Sequence, residues 1–329
     1  MPQINGQEVG PIGYGLMGLT WRPQPCPQEQ AFDAMRAALM NGCNFWNGGE
    51  FYGPPEYNSL VLLERYFEKY PEDADKIVLS VKGAAGARLE KGADGSPEEI
   101  RRSLDAILSQ LNGRKKVDLF ECARRDPKAD MQVTFGEIQK YIDAGKVGGI
   151  SLSEVSAQTI HDAVKVTKVK AVEVELSLFS TEVLENGVAA ACAQYDIPLV
   201  AYSPLSRGIL TGEIKSLDDL HKDDHRRHFP RFSPENFAHN ITLLNKVKEL
   251  AQKKGITVGQ FAIAWTIALS KRPGMPTIIP IPGATTADRV NENSKLVELT
   301  EEDMAAVDEI LEKMDVKGAR YPSAVMVNT

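Results

Sequence analysis

The chain is poor in the features that assign a sequence to a special class of protein. Its 329 residues include only four cysteines, which lie far apart without a C-x-x-C spacing. This usage favours buried free thiols in a reducing compartment over a disulfide framework. No apolar run approaches the roughly 20 residues that cross a membrane. The segment at Met1 has neither a basic region nor an apolar stretch, so we expect no secretory signal.

Positive charge is also scarce. The chain has 38 Lys and Arg residues against 45 Asp and Glu residues, which gives a net charge of −7 and a pI of about 5.4. It therefore lacks the basic footprint by which proteins bind nucleic acids or anionic membranes, and neither partner is expected. With 43% hydrophobic and 25% charged residues, the composition is that of an ordinary globular protein.

What the sequence does contain is an alternation of short apolar runs with helical patterns. The runs are Ile12–Gly18, Cys43–Trp46, Ile77–Val81, Val117–Cys122, Val147–Leu152, Ala171–Leu176, Pro198–Tyr202 and Thr277–Ile281. Helices are predicted at Gln28–Met40, Tyr57–Lys69, Pro97–Leu111, Val133–Ala144, Ala157–Val164, Val183–Gln194, Phe237–Lys254 and Glu301–Met314. Near-continuous apolar strands that alternate with helices indicate a parallel sheet buried on both faces. Eight such units predict a (β/α)8 TIM barrel, an α/β fold, as one domain over residues 1–329.

A formal G-x-G-x-x-G match at Gly13–Gly18 does not indicate a Rossmann dinucleotide site. That site requires the glycines to run directly into a helix that holds the pyrophosphate. Pro23, Pro25 and Pro27 follow instead, and we expect no helix to start before them.

Polar side chains follow the predicted strands at their carboxyl ends, where barrel enzymes collect their chemistry. They are Asn47, Tyr52, Lys82, Arg124, Ser153, Glu154, Glu175, Ser177, Tyr202 and Ser203. Tyr52 can hand a proton to a carbonyl oxygen if a nearby cation such as Lys82 lowers its pKa from about 10. We interpret His221, His225 and His228 as part of a solvated loop and expect no metal site. A phenol acid without a metal or a nucleophile suits carbonyl reduction, which needs a hydride donor.

Several segments, in this order, resemble the signature blocks of the aldo-keto reductases. They are Gly42–Gly53, Gly145–Val147, Ile150–Glu154, Val172–Ser177, Ala201–Gly212, Ile279–Gly283 and Arg289–Asn293. The resemblance covers nearly the whole chain. It implies the barrel fold and NADPH bound in an extended pose at the barrel mouth, with no Rossmann domain.

The resemblance also implies roles for individual residues. Tyr52 would be the proton donor and Lys82 its tuning cation. Ser153 and Glu173 would hold the nicotinamide carboxamide, with Tyr202 stacked on the ring. The pyrophosphate would lie along the backbone of Ser203, Leu205, Ser206 and Gly208. The adenosine end would be held by Thr285, Arg289, Glu292 and Asn293, with Arg289 at the 2′-phosphate. The substrate would contact Trp21, Phe51, Ala123 and Arg124.

Two positions depart from the family pattern. Asn47 stands where the catalytic tetrad has Asp, and Ala123 stands where it has His. Asn47 can hydrogen-bond Lys82 but cannot neutralise it, so we expect the pKa of Tyr52 to fall further, unless burial deprotonates the lysine instead. The small Ala123 would open space for a bulkier substrate. This pattern resembles the pyridoxal reductase branch of the fungal enzymes, which implies NADPH-dependent reduction of pyridoxal to pyridoxine within vitamin B6 metabolism.

Two alternatives remain at this stage. One is a broad-specificity reductase of other aldehydes, and the other is a catalytically weak NADPH-sensing subunit, like the reductase-like β subunits of potassium channels. Because Tyr52 and Lys82 are both retained, an enzyme is favoured. We expect it in the cytoplasm, with entry into the nucleus as well. The sequence gives no oligomeric state.

Overall fold

The barrel predicted from the apolar runs is present. The computed structural model describes residues 1–85, 92–323 and 325. A hairpin of β1 (Gln3–Ile4) and β2 (Gln7–Glu8) comes first. The barrel strands are β3 (Tyr14–Gly15), β4 (Phe45–Gly49), β5 (Val78–Gly83), β6 (Leu119–Cys122), β7 (Ile150–Ser153), β8 (Val169–Glu175), β9 (Leu199–Tyr202) and β10 (Ile278–Pro280). They form one eight-stranded parallel sheet in chain order. A bridge from Gly15 to Gly283 joins β3 to the chain just after β10 and closes the sheet into a barrel.

Helices follow the strands around the outside of the barrel. They are α1 (Met17–Thr20), α2 (Gln28–Met40), α3 (Ser59–Lys69), α4 (Pro97–Leu111), α5 (Met131–Asp143), α6 (Ala157–Val166), α7 (Val188–Gln194), α8 (Pro234–Lys253), α9 (Val258–Ala268), α10 (Ala287–Asn293) and α11 (Glu301–Lys313). Short 3₁₀ helices lie at Pro55–Tyr57, Pro71–Lys76, Glu182–Leu184, Ser206–Thr211, Leu217–Asp219, His225–His228, Pro230–Phe232 and Leu269–Lys271. Within the described residues, no helix combines the length and the apolar character needed to span a bilayer.

Three local differences from the sequence prediction have physical causes. The run at 12–18 is a strand only at Tyr14–Gly15, and α1 begins before the prolines that were expected to exclude any helix there. The helix predicted from Val183 begins at Val188, because Gly187 takes a left-handed conformation (φ +90°) that breaks the helical path. Helix α9 was not predicted. It is buried on nearly all sides and so lacks the amphipathic pattern by which helices are recognised.

Inside the barrel, two layers of side chains lie one above the other. Side chains alternate along a strand, so residues two apart face the same side. The apolar layer lies toward the amino ends of the strands and is formed by Ile4, Val9, Phe45, Val78, Leu119, Ala171, Val200, Ile279 and Ile281. The polar layer lies nearer the carboxyl ends and is formed by Asn47, Ser80, Lys82, Glu121, Ser151 and Glu173, all buried. The polar layer forms the floor of the barrel mouth.

Candidate active site

Lys82 lies at the centre of the polar layer and is surrounded by oxygen atoms. Its Nζ donates to Glu173 Oε1 and to Asn47 Oδ1, the latter at 3.2 Å. Glu121 Oε1 forms an ion pair with the same nitrogen at 3.1 Å. The strand register explains the last contact, because Lys82 on β5 pairs directly with Glu121 on β6. The buried ammonium group therefore has two carboxylates beside it.

The Asn47 amide completes this network. Its Nδ2 donates to Glu121 Oε1 at 2.9 Å and to Glu173 Oε2 at 2.6 Å. Ser80 and Ser151 donate more distantly to the two oxygens of Glu121, at 3.4 and 3.3 Å. Every charged group of the layer is thus paired inside the protein, as a buried charge requires.

The charges of the polar layer shift one another's protonation. Burial would lower the pKa of Lys82, but Glu121 and Glu173 outweigh it and hold the pKa well above its usual value. Burial and the neighbouring Glu121 raise the pKa of Glu173 to about 8, against the opposing effect of Lys82. The expectation that Lys82 keeps a less compensated charge was therefore wrong. Sequence reasoning placed Asn47 beside Lys82, but it assigned Glu173 only to the cofactor and gave Glu121 no role.

Tyr52 is held just beyond the end of β4 by close backbone packing. Its ring lies flat against Gly49, where a Cβ atom would come within 2.9 Å of the ring carbons. Its carbonyl oxygen accepts hydrogen bonds from Thr20 Oγ1 at 2.6 Å and from the Ser59 amide at 3.0 Å. Glycine at position 49 is thus needed to let the phenol lie over the polar layer.

The protonation of Tyr52 differs from the sequence expectation. Burial raises its pKa to about 12, with Lys82 lowering it and Glu173 and Glu121 raising it. The predicted fall below 10 was wrong, because burial of the phenol outweighs the effect of the cation, and Glu173 and Glu121 add to the rise. At neutral pH the phenol is protonated, which is the form that a general acid needs.

Aromatic side chains form one wall beside Tyr52. Trp21 packs on the Tyr52 ring with a centroid distance of 5.6 Å, and Phe51 meets both rings edge to face. His225, from the long segment after β9, also stacks on Trp21, with a centroid distance of 6.2 Å. Trp21 and Phe51, predicted to contact substrate, therefore do flank the phenol. His225 joins them, although the sequence placed it in a solvated loop.

The mouth is bordered by residues whose backbone has a positive φ, a conformation that non-glycine residues rarely adopt. Ala84, Glu154 and Ser203 directly follow β5, β7 and β9, and each has a φ between +51° and +54°. Ser206 and Arg207 repeat this conformation at +50° and +57°. Such residues cost of order 1–3 kcal/mol each and collect at functional sites. Strain is thus concentrated where the cofactor was predicted.

A segment from the far end of the chain covers Tyr202. Arg320 donates to both oxygens of Glu154, at 3.0 and 3.2 Å, and to Glu175 at 3.2 Å. The Tyr202 hydroxyl donates to Glu154 at 2.8 Å and lies 2.8 Å from the hydroxyl of Tyr321. The Tyr202 ring, which was predicted to stack on the nicotinamide, is therefore joined to a buried ion cluster through its hydroxyl.

Two predicted cofactor residues have unused polar atoms. Within the described part of the chain, Ser153 Oγ and Asn293 Nδ2 are buried and have no hydrogen-bond partner. Such orphaned groups are rare in proteins, and a ligand that bonds to them would satisfy both. Glu173 is different, because both of its oxygens already bond within the polar layer. Of the pair predicted to hold the carboxamide, only Ser153 offers a free group.

The other predicted cofactor residues lie in the turn after β9, just before α10 and on α10. Arg289, at the start of α10, pairs with Glu292 at 2.7 Å and with Glu213 from the segment after β9. The Thr285 carbonyl accepts from Gln30 at 2.7 Å. Ser203, Leu205, Ser206 and Gly208 form the turn after β9, in which the Ser206 amide bonds to the Ser203 carbonyl at 2.8 Å.

Ala123 and Arg124 follow β6 at the mouth. The Ala123 amide bonds to the Gly83 carbonyl at 2.9 Å, which continues the β5–β6 pairing by one residue. Ala123 is buried. The Arg124 guanidinium lies 5.6 Å from the ring of Tyr321.

Sequence reasoning missed Glu121, Arg320 and Tyr321 as parts of the site. A signal existed for Glu121, since an acid between Phe120 and Cys122 interrupts a buried strand and must have a partner there. No comparable signal marked Arg320, whose contacts with Glu154 span 166 positions of sequence.

Comparison with known proteins agrees with the barrel fold. The model of the aldo/keto reductase family matches residues 11–312. The chain belongs to the aldo-keto reductase family. Members act on carbonyl or alcohol groups of small molecules with nicotinamide cofactors, so this chain is an oxidoreductase of that kind.

Two curated relatives from Schizosaccharomyces pombe match nearly the whole chain. "Probable pyridoxal reductase 2" is 44% identical, over 98% of this chain and 97% of the relative. "Aldo-keto reductase yakc [NADP(+)]" is 35% identical, over 97% of this chain and 94% of the relative. Among solved structures, the glycerol dehydrogenase AKR11B4 from Gluconobacter oxydans superposes with a TM-score of 0.81. It is 23% identical and covers 99% of this chain and 98% of its own, so it supports only the fold of this reductase.

Proposed function

We propose that this reductase converts the aldehyde of pyridoxal to the alcohol pyridoxine with NADPH. The observation that carries the proposal is Tyr52, a protonated buried phenol that lies over the polar layer and within the field of Lys82. Bound NADPH would supply the hydride. The Tyr52 hydroxyl would donate its proton to the oxygen of the reduced carbonyl, and Lys82 would stabilise the phenolate that remains. The pyridoxal reductase relative supports the substrate, and the NADP(+) relative supports the cofactor.

The cofactor would lie along the residues that border the mouth. Ser153 would meet the carboxamide with its unused hydroxyl, and Asn293 would meet the adenosine end with its unused amide. The Tyr202 ring would pack on the nicotinamide. Arg289 would exchange its pairing with Glu213 for the 2′-phosphate, which a guanidinium can hold through two oxygens at once.

Cofactor choice tests the adenosine end separately from the chemistry. NADPH should bind more tightly than NADH by roughly 1.5–3 kcal/mol, or about 10- to 150-fold, the worth of a charge-assisted contact. Arg289→Ala should remove this preference, and Glu213→Gln should keep it. Equal dissociation constants for the two cofactors in the unaltered protein would contradict this placement.

Substrate choice is tested with pyridoxal beside a panel of plain aldehydes, following the absorbance of NADPH. Pyridoxal should be preferred, and Ala123→His should reduce its turnover by steric conflict more than that of a small aldehyde. Equal use of all aldehydes would favour a broad-specificity reductase. Tight NADPH binding without turnover would favour a nucleotide-sensing subunit.

A further inference from the structure

We propose that Glu121 and Glu173 are positioning residues that together replace the absent carboxylate at position 47 as the counter-ion of Lys82. This inference rests on the proposed function, since it concerns the lysine that acts on Tyr52. It goes beyond the family resemblance, which assigned Glu173 to the cofactor and gave Glu121 no role.

The first support comes from the donors and acceptors around Lys82. An ammonium group has three N–H donors. Three oxygen atoms lie within 3.2 Å of Nζ, one each from Glu173, Glu121 and Asn47. Among the described hydrogen bonds, none joins Lys82 to Tyr52. The Lys82 ammonium group is therefore held by the polar layer, and it acts on the Tyr52 phenol through its charge.

The second support is the orientation of Asn47. Its amide oxygen accepts from Lys82, while its Nδ2 donates to both Glu121 and Glu173. An aspartate at this position would lose both donated bonds and place a third carboxylate against the other two. Asparagine at 47 and acids at 121 and 173 are thus mutually dependent choices. This reverses the sequence-based idea that Asn47 leaves Lys82 without a neutralising partner.

The third support is the charge balance of the layer. One cation faces two carboxylates in a buried site, where an uncompensated charge is strongly unfavourable. Burial and the neighbouring Glu121 raise the pKa of Glu173 to about 8, which favours its protonated form and reduces the excess of negative charge beside Lys82. The titratable groups that face Glu173 are Lys82 on β5, Glu121 on β6 and Tyr52 after β4. On β9 the register partner of Glu173 is Val200. Glu175 and Tyr202, which pair with each other, lie two residues nearer the mouth on their strands.

The pH dependence of kcat/KM tests the effect on Tyr52. Activity falls at alkaline pH when the phenol loses its proton, and both acids raise the pKa of that phenol. Glu121→Gln and Glu173→Gln should therefore each move the alkaline limb to lower pH, by up to about one unit, or tenfold in the protonation ratio. A role limited to packing would leave the limb in place.

Moving one carboxylate from position 121 to position 47 supplies a matched test by rescue of activity. Asn47→Asp alone adds a third carboxylate, so it should lower kcat/KM by about tenfold or more at neutral pH. Adding Glu121→Gln restores the count of two acids and one amide, and most of the lost activity should return. If the double variant is no better than Asn47→Asp alone, the proposal is wrong.

A measurement independent of activity is the pH dependence of unfolding. A carboxyl with a higher pKa in the folded than in the unfolded chain stabilises the fold at low pH. That stability is lost as the pH rises from about 4.3 through about 8. Across this window the group should raise the unfolding equilibrium constant by up to about tenfold per pH unit. Glu173→Gln should remove this contribution, and Leu119→Ala should lower stability without changing the slope.

The outcomes separate this proposal from the proposed function. Unfolding slopes identical in the unaltered protein, Glu121→Gln and Glu173→Gln would overturn the counter-ion role, whatever the substrate. Slopes that change as expected, in a protein that reduces no aldehyde with NADPH, would support the counter-ion role and refute the proposed reaction.

Discussion

The apolar and polar layers of the barrel occupy the same strands, two residues apart. Leu119 and Glu121 face inward from β6, and Ala171 and Glu173 from β8, all of them buried. In the apolar layer each side chain gains stability from leaving water, whatever its exact neighbour. In the polar layer each side chain loses water and recovers its hydrogen bonds only from specific partners.

This difference shows what each layer contributes. The apolar layer tolerates replacement by another apolar side chain of similar volume, because its stabilisation is non-directional. The polar layer depends on the identity of its charged and amide members, since removing one of them leaves others unpaired. Its place beneath the mouth makes that dependence useful, because the charges that must be paired are those that set the protonation of Tyr52.

The largest expected effect is that of Tyr52→Phe. Removing the hydroxyl should reduce kcat by about 10²–10⁴-fold, the usual contribution of a general acid. NADPH affinity should change little, because the phenol does not hold the cofactor. Turnover within a few-fold of the unaltered protein would mean that another group protonates the product. Turnover and NADPH affinity, measured on the same sample of the variant and of the unaltered protein, would test this.

Lys82→Met should break the polar layer itself. The loss of the cation leaves Glu121 and Glu173 unpaired, at a cost of about 3–5 kcal/mol in the free energy of unfolding. The cost should grow with pH, because protonation relieves the repulsion between the acids. Lys115→Met is the matched control, since it breaks the buried pair of Lys115 with Asp118 (2.8 Å) away from the mouth. Urea unfolding at two pH values, with turnover measured alongside, would separate the two sites. Equal loss of turnover in both variants would argue against a special role for Lys82.

Leu119→Ala probes the apolar layer on the strand that carries Glu121. The cavity left behind should lower the free energy of unfolding by about 2–5 kcal/mol. Because no charge changes, the alkaline limb of the pH–rate profile should stay where it is. A shifted limb would show that the two layers are coupled, and would weaken the contrast between them.

Ser151→Ala should have the smallest effect. The hydroxyl donates at 3.0 Å to the Ala171 carbonyl and at 3.3 Å to Glu121, so its loss should cost about 0.5–1.5 kcal/mol. Denaturant unfolding at neutral pH measures this. A cost above that of Leu119→Ala would mean that Ser151 is essential to the polar layer.

The barrel was predictable because its signals are local. The apolar runs mark strands, and Gln28–Met40 and Pro97–Leu111 have the predicted bounds. Helix α4 illustrates the reason, since Ser96 caps its first turn and Pro97 fits the first helical position. The position of the mouth was predictable for the same reason. Polar residues follow the carboxyl ends of the strands, and parallel strands bring these ends to one edge of the sheet.

The partners within the site were not predictable in the same way. Glu173 and Lys82 are 91 positions apart, and only the curvature of the closed sheet brings them together. An acid inside a strand shows that a partner must exist, but not which one. Glu173 was therefore assigned to the cofactor and Lys82 was thought to lack a counter-ion. Tyr321 was missed because it follows the last helix in a segment without periodicity.

The position of Trp21 gives this protein an optical reporter of its own mouth. The chain has three tryptophans, all in its described part. Trp46 and Trp265 are buried, whereas Trp21 is 37% exposed and packs against the rings of Tyr52 and His225. A water-soluble quencher such as iodide would reach Trp21 before the other two. The quenchable part of the emission would therefore follow the entry of a molecule beside Tyr52, without any added label.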